Sequence, residues 1–368
     1  MLSEFANVFK VPELSRKVMF TLTMFIFFRL GAHIPVPGVN AQVIEQLFNS
    51  GSLFGMLDMF SGGALSKFSV FAMSITPYIN ASIILQLLKV VIPTLEQWSK
   101  EGEEGFKKTN RLTRQFTVVL CFVQAFGMAY GLRMAINNPS ILSMLLIALT
   151  LTAGSMLLMW IGEQMTAKGL GNGISLIIFA GIVSRLPDGL KVMFEYLNAG
   201  TVNLVNVILF AVIALAVIVF VVMITEGVRK VPIQYAKRIV GHKSYGGSSS
   251  YLPFKINAAN VIPVIFASSV LMFPSTIAQF VPLQSVKTFA DYFRWGSPLQ
   301  TTLYVILIIF FTYFYTAVML NIKDLSENLG KNGGFVPGIR PGKPTTDYLD
   351  DVMSKITLAG AIFLAIIA

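Results

Sequence analysis

The sequence predicts an all-α polytopic membrane protein, built as two pseudo-symmetric halves of five helices each in inverted orientation. Three observations lead to this prediction. The composition is too apolar for a soluble core, with 55% hydrophobic residues, 12% charged residues and a mean hydropathy of +0.71. The apolar residues form runs long enough to cross a bilayer. A motif of the second run returns in the seventh.

The repeated motif is Pro-x-Ile-x-Ala-Ser-x-x-Leu, which occurs at residues 77–85 and again at 263–271. A short match among residues that any apolar helix favours can arise by chance, so coincidence and a true internal repeat both stay open on the motif alone. The two copies are five spans apart, and an odd separation places them in opposite directions across the membrane. This is the pattern of an inverted repeat.

The chain begins with residues 1–17, whose apolar positions recur every three to four residues and predict a short amphipathic helix on the cytoplasmic surface. Nine apolar segments of spanning length follow. They lie at about 18–34, 70–92, 115–134, 141–162, 171–187, 203–225, 257–281, 299–321 and 354–368.

The nine segments divide into two halves. Residues 18–187 hold the first five spans and form the N-terminal half, and residues 188–202 are expected to be an external hinge. Residues 203–368 hold the other four and form the C-terminal half. A tenth span, which would complete the second set of five, is missing from the sequence and expected beyond Ala368.

Basic residues predict the orientation of these spans. With the N-terminus and every second loop in the cytoplasm, 21 of the 28 lysines and arginines are cytoplasmic, 6 lie on the other side and Arg29 lies within the first span. Positive charge collects on the cytoplasmic side of membrane proteins. The net charge of +10 therefore indicates topology rather than a surface that binds nucleic acid.

The segment at about 53–66, between the first two spans, is too mixed for a simple turn. It carries apolar residues at helical spacing and ends at the pair Gly62-Gly63, where a helix commonly stops. Two interpretations stay open. One is a half-helix that enters the membrane beside a cavity, where non-helical backbone is tolerated. The other is a helix on the external surface.

Two segments predicted to be cytoplasmic, 226–256 and 322–355, are long and basic. The first has a tip rich in Gly and Ser and predicts a hairpin, and the second places Arg340 between two Pro-Gly-type turns. Loops of this length usually bind a partner. Their charge alone would also serve to fix topology or to contact anionic lipid.

The residues that carry chemistry in enzymes are absent from recognisable positions, so we expect neither an enzyme nor a cofactor or metal site. The sequence contains no P-loop, zincin or serine-hydrolase motif, and its two histidines, His33 and His242, are far from other plausible ligands. The run Gly169-Leu-Gly-Asn-Gly173 lacks a preceding strand and is interpreted as close helix packing or a hinge.

Ionisable residues are scarce inside the spans, where the carboxylates are essentially Glu163 and Glu226 at helix ends. An ion-coupled transporter needs such groups near the middle of the membrane. We therefore expect a pathway that is apolar at its narrowest point. A secondary transporter built on inverted five-helix repeats is the alternative.

Seven stretches, spread over the chain, together resemble the SecY family, the channel subunit of the bacterial protein translocase. They are Met59-Phe-Ser-Gly-Gly-Ala-Leu-Ser, Pro77-Tyr-Ile-Asn-Ala-Ser-Ile-Ile-Leu-Gln, Trp160-Ile-Gly-Glu-Gln, Gly169-Leu-Gly-Asn-Gly-Ile-Ser, Tyr235-Ala-Lys-Arg, Val261-Ile-Pro-Val-Ile-Phe-Ala-Ser-Ser and Phe335-Val-Pro-Gly-Ile-Arg-Pro-Gly.

The resemblance implies a ten-helix clamshell around an hourglass channel in the bacterial inner membrane. Such a channel passes unfolded secretory polypeptides and releases transmembrane segments sideways into lipid. The resemblance also implies a pore ring, a plug at about 53–66 and a lateral gate between the second and seventh spans. The ring residues are Ile75, Ile79, Ile174, Ile178 and Ile265, the plug residues are Leu53, Met56, Leu57 and Phe60, and the gate serines are Ser82 and Ser268.

The resemblance further implies that the basic loops dock the SecA motor or the ribosome, through Lys237, Arg238 and Arg340, and that SecE and SecG are small partner subunits. The loop tip at 246–252 departs from the family pattern, because it lacks the Gln and His expected there. A proline in each gate helix is expected to remove a backbone hydrogen bond and so to ease bending.

Overall fold

The computed structural model describes residues 11–40, 43–44, 58, 61–235, 238–240, 243–245, 249–280 and 296–368. These residues are mainly helical and belong to two compact units. Unit 1 comprises the described residues of Met1–Ala199 and Ser275–Trp295, and unit 2 comprises those of Gly200–Pro274 and Gly296–Ala368.

Besides a short 3-10 helix at Arg133–Ala135, unit 1 contains seven α-helices within the described part of the chain. They are α1 (Pro12–Gly31), α2 (Thr76–Val91), α3 (Pro93–Lys100), α4 (Glu103–Gly131), α5 (Ile141–Lys168), α6 (Gly173–Val183) and α7 (Leu186–Asn198). Four of them, α1, α2, α3 and α7, begin with a proline in the first two positions, where its missing N–H costs no helical hydrogen bond. The predicted surface helix at 1–17 differs, because residues 12–17 are the first turns of α1 and residues 1–10 lie outside the described residues.

The long helices α4 and α5 form the centre of unit 1. They bury small residues against each other, including Cys121, Ala125 and Ala148, each of which has no exposed surface. Gly154 on α5 lies so close to the Val70 backbone that a Cβ there would stand 2.0 Å from the Val70 carbonyl oxygen. The glycine therefore allows the non-helical chain before α2 to pack directly against α5.

Unit 2 contains five helices and five strands within its described residues. They are α8 (Leu204–Glu226), β1 (Val228–Tyr235), β2 (Arg238–Val240), β3 (Lys243–Tyr245), β4 (Ser249–Lys255), α9 (Ile262–Phe280), α10 (Pro298–Met319), α11 (Ile322–Lys331), β5 (Gly334–Phe335) and α12 (Lys343–Ile367). The last residues of α9, from Ser275, belong to unit 1.

Five helical segments of the described chain are long and apolar enough to cross a membrane, or six if the sharply bent pair α2 and α3 counts as one span. The five are Glu103–Gly131, Ile141–Lys168, Gly173–Asn198, Leu204–Glu226 and Pro298–Lys331. The predicted spans at 18–34, 257–281 and 354–368 correspond to α1, α9 and α12. Charged residues along α1 and in the first half of α12 lower their hydropathy. The chain is a multi-pass membrane protein.

Helix α8 shows most directly that the protein contacts lipid. Its most apolar stretch of 18 residues has a mean hydropathy of 3.5, and none of that stretch is buried. A helix that is apolar all round and exposed all round is stable against hydrocarbon but not against water.

The segment predicted to be a hinge is helical over most of its length, since α7 continues to Asn198. Apolar residues recur at helical spacing along α7, and they remain exposed or half-buried in the structure: Leu186, Leu190, Phe194 and Leu197. The division between the units falls at Gly200, whose positive φ of 68° marks the turn that follows.

The predicted basic hairpin forms, and it adds a small sheet to the otherwise helical fold. Strand β1 pairs antiparallel with β4, from Val228 opposite Lys255 to Gln234 opposite Ser249. Strand β5, from the second predicted cytoplasmic loop, pairs with the other edge of β1. The two loops predicted separately are therefore parts of one body, with a core of Val231, Phe254, Val336, Leu349 and Met353.

The two copies of the repeated motif share an uncommon backbone conformation. Ser74 and Asn260, each three residues before the motif proline, have positive φ values of 52° and 53°. The helix then starts one residue before the proline in both copies. A left-handed non-glycine residue is rare, so its recurrence at matched positions favours a true internal repeat over coincidence.

The expectation that a proline in each gate helix removes a helical hydrogen bond is not met by the motif prolines. Pro77 and Pro263 are the second residues of α2 and α9, where the backbone N–H would have no helical partner in any case. Pro274, in the interior of α9, is the proline that does remove a helical hydrogen bond.

Candidate functional site

Four of the five predicted ring residues lie together in unit 1, where α2 and α6 bring them into one apolar cluster. Ile75 is almost completely buried, with 2% of its surface exposed. Ile79, Ile174 and Ile178 are half-buried and pack against the same cluster. The structure therefore distinguishes Ile75, which is a core residue, from the other three, whose side chains are partly exposed.

Glycines and a capping side chain place α6 in this cluster. The Asn172 side chain accepts hydrogen bonds from the backbone N–H groups of Ile174 and Ser175, at 3.0 and 3.2 Å, and so begins the helix. A Cβ at Gly173 would stand 2.1 Å from the Gly162 carbonyl oxygen of α5. Close helix packing is therefore what this glycine-rich run provides, as the sequence predicts.

A cavity of about 490 Å³ within unit 1, with both polar and apolar walls, reaches one of the ring residues. It is lined by the predicted gate residue Ser82 and by Gln86 and Lys89 of α2, together with Ile174. Gln86 Nε2 donates to Ser82 Oγ at 3.4 Å. One turn of α2 thus separates an apolar surface at Ile79 from a polar one at Ser82.

An ion pair forms part of the wall of this cavity. Arg114 Nε of α4 donates to Glu163 Oε1 of α5 at 2.7 Å. Glu163, one of the two carboxylates noted in the predicted spans, is therefore already paired with a counter-charge. A paired carboxylate at the end of a helix does not provide the mid-membrane ionisable group that an ion-coupled transporter requires.

The remaining ring residue and the second gate serine lie on α9 in unit 2. Ile265 and Ser268 are both half-buried. Ser268 Oγ donates to the Ile265 carbonyl oxygen at 2.9 Å, which satisfies the hydroxyl within its own helix. The adjacent Phe266 is buried and packs edge-to-face on Phe311 of α10. These contacts fix the rotation of α9 about its axis.

The predicted docking residue Arg340 is exposed in unit 2 and held by turns on both sides. Gly338 and Gly342 have φ values of +83° and +98°. The Arg340 carbonyl oxygen accepts a hydrogen bond from Thr345 Oγ1 at 2.8 Å, which ties the turn to the start of α12. Its exposed side chain is therefore presented from a defined backbone, shortly after strand β5 in the sequence.

The remaining predicted site residues lie either in strand β2 or outside the described part of the chain. Arg238 lies in β2, opposite Tyr245 of β3. Within the described ranges, no three His, Cys, Asp or Glu residues are grouped so that they could hold a metal ion. The residues that lie outside the described part of the chain are Leu53, Met56, Leu57, Phe60 and Lys237.

Sequence reasoning missed a polar network around Gly62. Asp58 is buried there and forms an ion pair with Arg185, which lies between α6 and α7. Arg29 of α1 donates to the Gly62 carbonyl oxygen at 2.9 Å. The available signal was three charged residues within or beside apolar segments, since such residues rarely remain unpaired in a membrane.

Comparison with known proteins identifies the family. A family model described as SecY matches residues 69–368. The protein translocase subunit SecY of Halalkalibacterium halodurans is 47% identical over 384 residues, which cover 100% of this chain and 88% of that protein. This chain belongs to the SecY family. The SecY subunits of Bacillus subtilis and Escherichia coli K12 are 46% and 44% identical, covering 100% and 96% of this chain and 88% and 83% of those proteins.

Solved structures of SecY and related channels share this fold. A structure described by the role of the SecY plug domain in stabilising the closed channel has a TM-score of 0.67 at 19% identity and covers 95% of this chain and 84% of that one. The Sec61 channel of the canine ribosome-channel complex has a TM-score of 0.62 at 16% identity, with the same shares covered. The SecY fold therefore extends over nearly the whole chain.

Because burial distinguishes neighbouring isoleucines on α6, water-soluble thiol reagents should distinguish them too. In a Cys121→Ser background, we expect Ile178→Cys to react readily with a charged maleimide and Ile177→Cys, at a position that is 1% exposed, to react at least about tenfold more slowly. Mass spectrometry of the labelled membrane protein measures both rates. Equal labelling of the two cysteines would contradict the difference in burial between Ile177 and Ile178.

Proposed function

We propose that this chain is the channel subunit of a bacterial protein translocase. Unfolded secretory polypeptides cross the membrane through it, and transmembrane segments leave it sideways into lipid. The observation that carries this proposal is the set of half-buried isoleucines on α2 and α6 of a SecY-family chain. One of them, Ile174, also lines the cavity beside α2, where an extended polypeptide would enter.

The ring would consist of Ile75, Ile79, Ile174, Ile178 and Ile265. Branched apolar side chains around a narrow passage exclude water and ions, yet they can be pushed aside by a polypeptide. Ile75 would support the ring from behind, because its side chain is enclosed in the core. The proposal needs no chemistry from the chain itself, so a partner would supply the energy for transport.

A plug and a lateral gate would complete the channel. The stretch at about 53–66, with Leu53, Met56, Leu57 and Phe60, would close the passage at rest. Helices α2 and α9 would form the two sides of the gate, with Ser82 and Ser268 at matched positions. The repeated backbone conformation before both helices supports a pseudo-symmetric pair.

The body formed by β1, β4, β5 and the start of α12 would dock a cytoplasmic partner. The SecA motor and the ribosome are the two candidates, and the resemblance of this fold to a Sec61 channel solved with a ribosome supports the second. Lys237, Arg238 and Arg340 would contact the partner. SecE and SecG would be the small membrane subunits of the complex.

The protein would lie in the bacterial inner membrane with its N-terminus in the cytoplasm. The excess of lysine and arginine on one set of loops supports this orientation. This orientation would also place the docking body on the cytoplasmic side, where both candidate partners are found. The halves at 18–187 and 203–368 would then be inverted relative to each other in the membrane.

Enlarging the ring should make the idle channel leak. We expect a variant with Ile79, Ile174 and Ile265 all replaced by Gly to raise the resting ion conductance of planar bilayers at least about tenfold, because small side chains no longer exclude water from the passage. The matched control replaces Ile208, Ile213 and Ile218 by Gly on the exposed helix α8. Conductance that is unchanged in the ring variant, or equal in both variants, would contradict a pore at these residues.

Reversing the charge at Arg340 should block partner-driven transport. We expect Arg340→Glu to reduce the import of a secretory precursor into proteoliposomes to less than about a tenth, because the opposite charge is presented from the same fixed turn. Lys331→Glu, which changes an equally exposed charge at the end of α11, is the control and should import at the parent rate. Full activity of Arg340→Glu, combined with loss of activity when Lys237 and Arg238 are neutralised, would assign docking to the hairpin instead.

A further inference from the structure

The most deeply buried charge in the described part of the chain lies just before the Gly62-Gly63 turn. Asp58 is 3% exposed, and it is the one charged residue among the described side chains that is classed as buried. A buried carboxylate is costly unless hydrogen bonds and a counter-charge compensate it. The contacts of Asp58 therefore show what holds this part of the chain in place.

Asp58 organises the turn that follows it. Its Oδ1 atom accepts hydrogen bonds from the Leu65 N–H at 3.1 Å, from the Ser66 N–H at 2.9 Å and from Ser61 Oγ at 3.0 Å. Its backbone carbonyl accepts from the Gly63 N–H at 3.1 Å. One carboxylate thus satisfies two backbone donors of a turn that has no helical partners for them.

The counter-charge comes from the far end of α6. Arg185 forms an ion pair with Asp58 and also donates from Nη2 to Ser66 Oγ at 3.2 Å. Its second acidic neighbour, Asp188, is more distant, at 3.9 Å from Nη1, and is 55% exposed. Arg185 therefore joins the α6–α7 junction to both Asp58 and Ser66.

The glycine pair completes the contact surface. Gly62 and Gly63 have positive φ values, and a Cβ at Gly62 would stand 2.9 Å from Gly181 Cα of α6. A Cβ at Gly63 would stand 3.3 Å from the Arg185 guanidinium carbon. Because neither glycine has a side chain, the turn packs directly against α6. This contact shields the Asp58–Arg185 ion pair from solvent on the α6 side.

We propose that the Asp58–Arg185 ion pair is a latch that holds Asp58 and the segment 61–66 on the α6–α7 junction and keeps the idle channel shut. This inference rests on the proposed function, in which that segment is the end of the plug. Arg185 acts as a positioning residue, because it contacts the segment and not the passing polypeptide. Opening the channel requires this ion pair to separate.

The second ion pair of Arg185, with Asp188, supplies a control at the same junction. Arg185→Gln leaves the Asp58 carboxylate buried without a counter-charge, whereas Asp188→Asn removes an exposed carboxylate that contributes little. Adding Asp58→Asn to Arg185→Gln removes the uncompensated charge while leaving an oxygen that can accept from Leu65 and Ser66. The double variant should therefore be disturbed less than Arg185→Gln alone.

The test uses the full-length chain in proteoliposomes and measures two quantities on the same preparations. Hydrogen exchange followed by mass spectrometry reports on the amides of Leu65 and Ser66, and planar-bilayer recording reports the idle conductance. For Arg185→Gln we expect exchange to be about tenfold faster and conductance to rise about tenfold, with Asp188→Asn unchanged in both. Arg185→Lys, which retains the charge, should restore most of the parent behaviour.

Several results would overturn the latch. Exchange at Leu65 and Ser66 that is unaffected by Arg185→Gln, or effects of Asp58→Asn and Arg185→Gln that simply add, would show that the pair does not hold the segment. Faster exchange with unchanged conductance would show that the pair does not keep the channel shut. A failure of the proposed function would look different, because the parent chain would then not import precursors and the ring variant would not leak.

Discussion

In a bilayer, every backbone N–H and C=O group has to find its partner within the protein, since lipid offers none. The helices of this chain meet that requirement by themselves, but residues 61–75 are not a regular helix. The backbone N–H and C=O groups of these residues find their partners in separate hydrogen bonds. Asp58 accepts from Leu65 and Ser66, the Ile34 carbonyl accepts from the Val70 N–H at 2.9 Å, and Arg29 donates to the Gly62 carbonyl. This set of contacts allows a non-helical chain to lie at the start of α2.

The position of the ring residues depends on that arrangement. The strained residue Ser74 turns the chain directly before α2, so that Ile75 enters the core, whereas Ile79 packs at the edge of the same cluster and stays partly exposed. On the other side, Gly173 allows α6 to approach α5 within the distance that Ile174 and Ile178 need to join the same cluster. The hydrogen bonds of the non-helical chain before α2 and the close packing at Gly173 therefore determine which isoleucine side chains are exposed. The exposed ones are those that would line a passage.

Much of the fold could be predicted from the sequence, because membrane helices are encoded in long apolar runs. The interiors of α4, α5, α8 and α10 fall where those runs predict them, and alternating burial in β1 follows the predicted hairpin. Helix ends were less predictable: α4 extends to Glu103, because amphipathic turns outside the lipid continue an apolar helix without a break. The pairing of β5 with β1 joins segments a hundred residues apart, and such contacts leave no local pattern.

The candidate site was predictable only in part. Family motifs indicated the ring isoleucines, but they could not show that Ile75 is enclosed while Ile79 is not, since both lie on one predicted helix face. The Asp58–Arg185 pair was also hidden, because nothing in the local sequence around either residue indicates the other. Conversely, the turn chemistry at Arg340 was readable from the Pro-Gly dipeptides, whose glycines adopt the positive φ values that such turns require.

The central proposal is that a translocating polypeptide passes the ring residues of both α2 and α9. It is tested most directly by stalling a secretory precursor in the full-length chain, with photo-reactive or thiol crosslinkers at Ile79→Cys and Ile265→Cys and a Cys121→Ser background. The account predicts that one stretch of the stalled precursor crosslinks to both positions, whereas Ile213→Cys on the lipid-exposed helix α8 gives no product. Efficient transport with no crosslink at either Ile79 or Ile265, or with crosslinks only at Ile213, would contradict it.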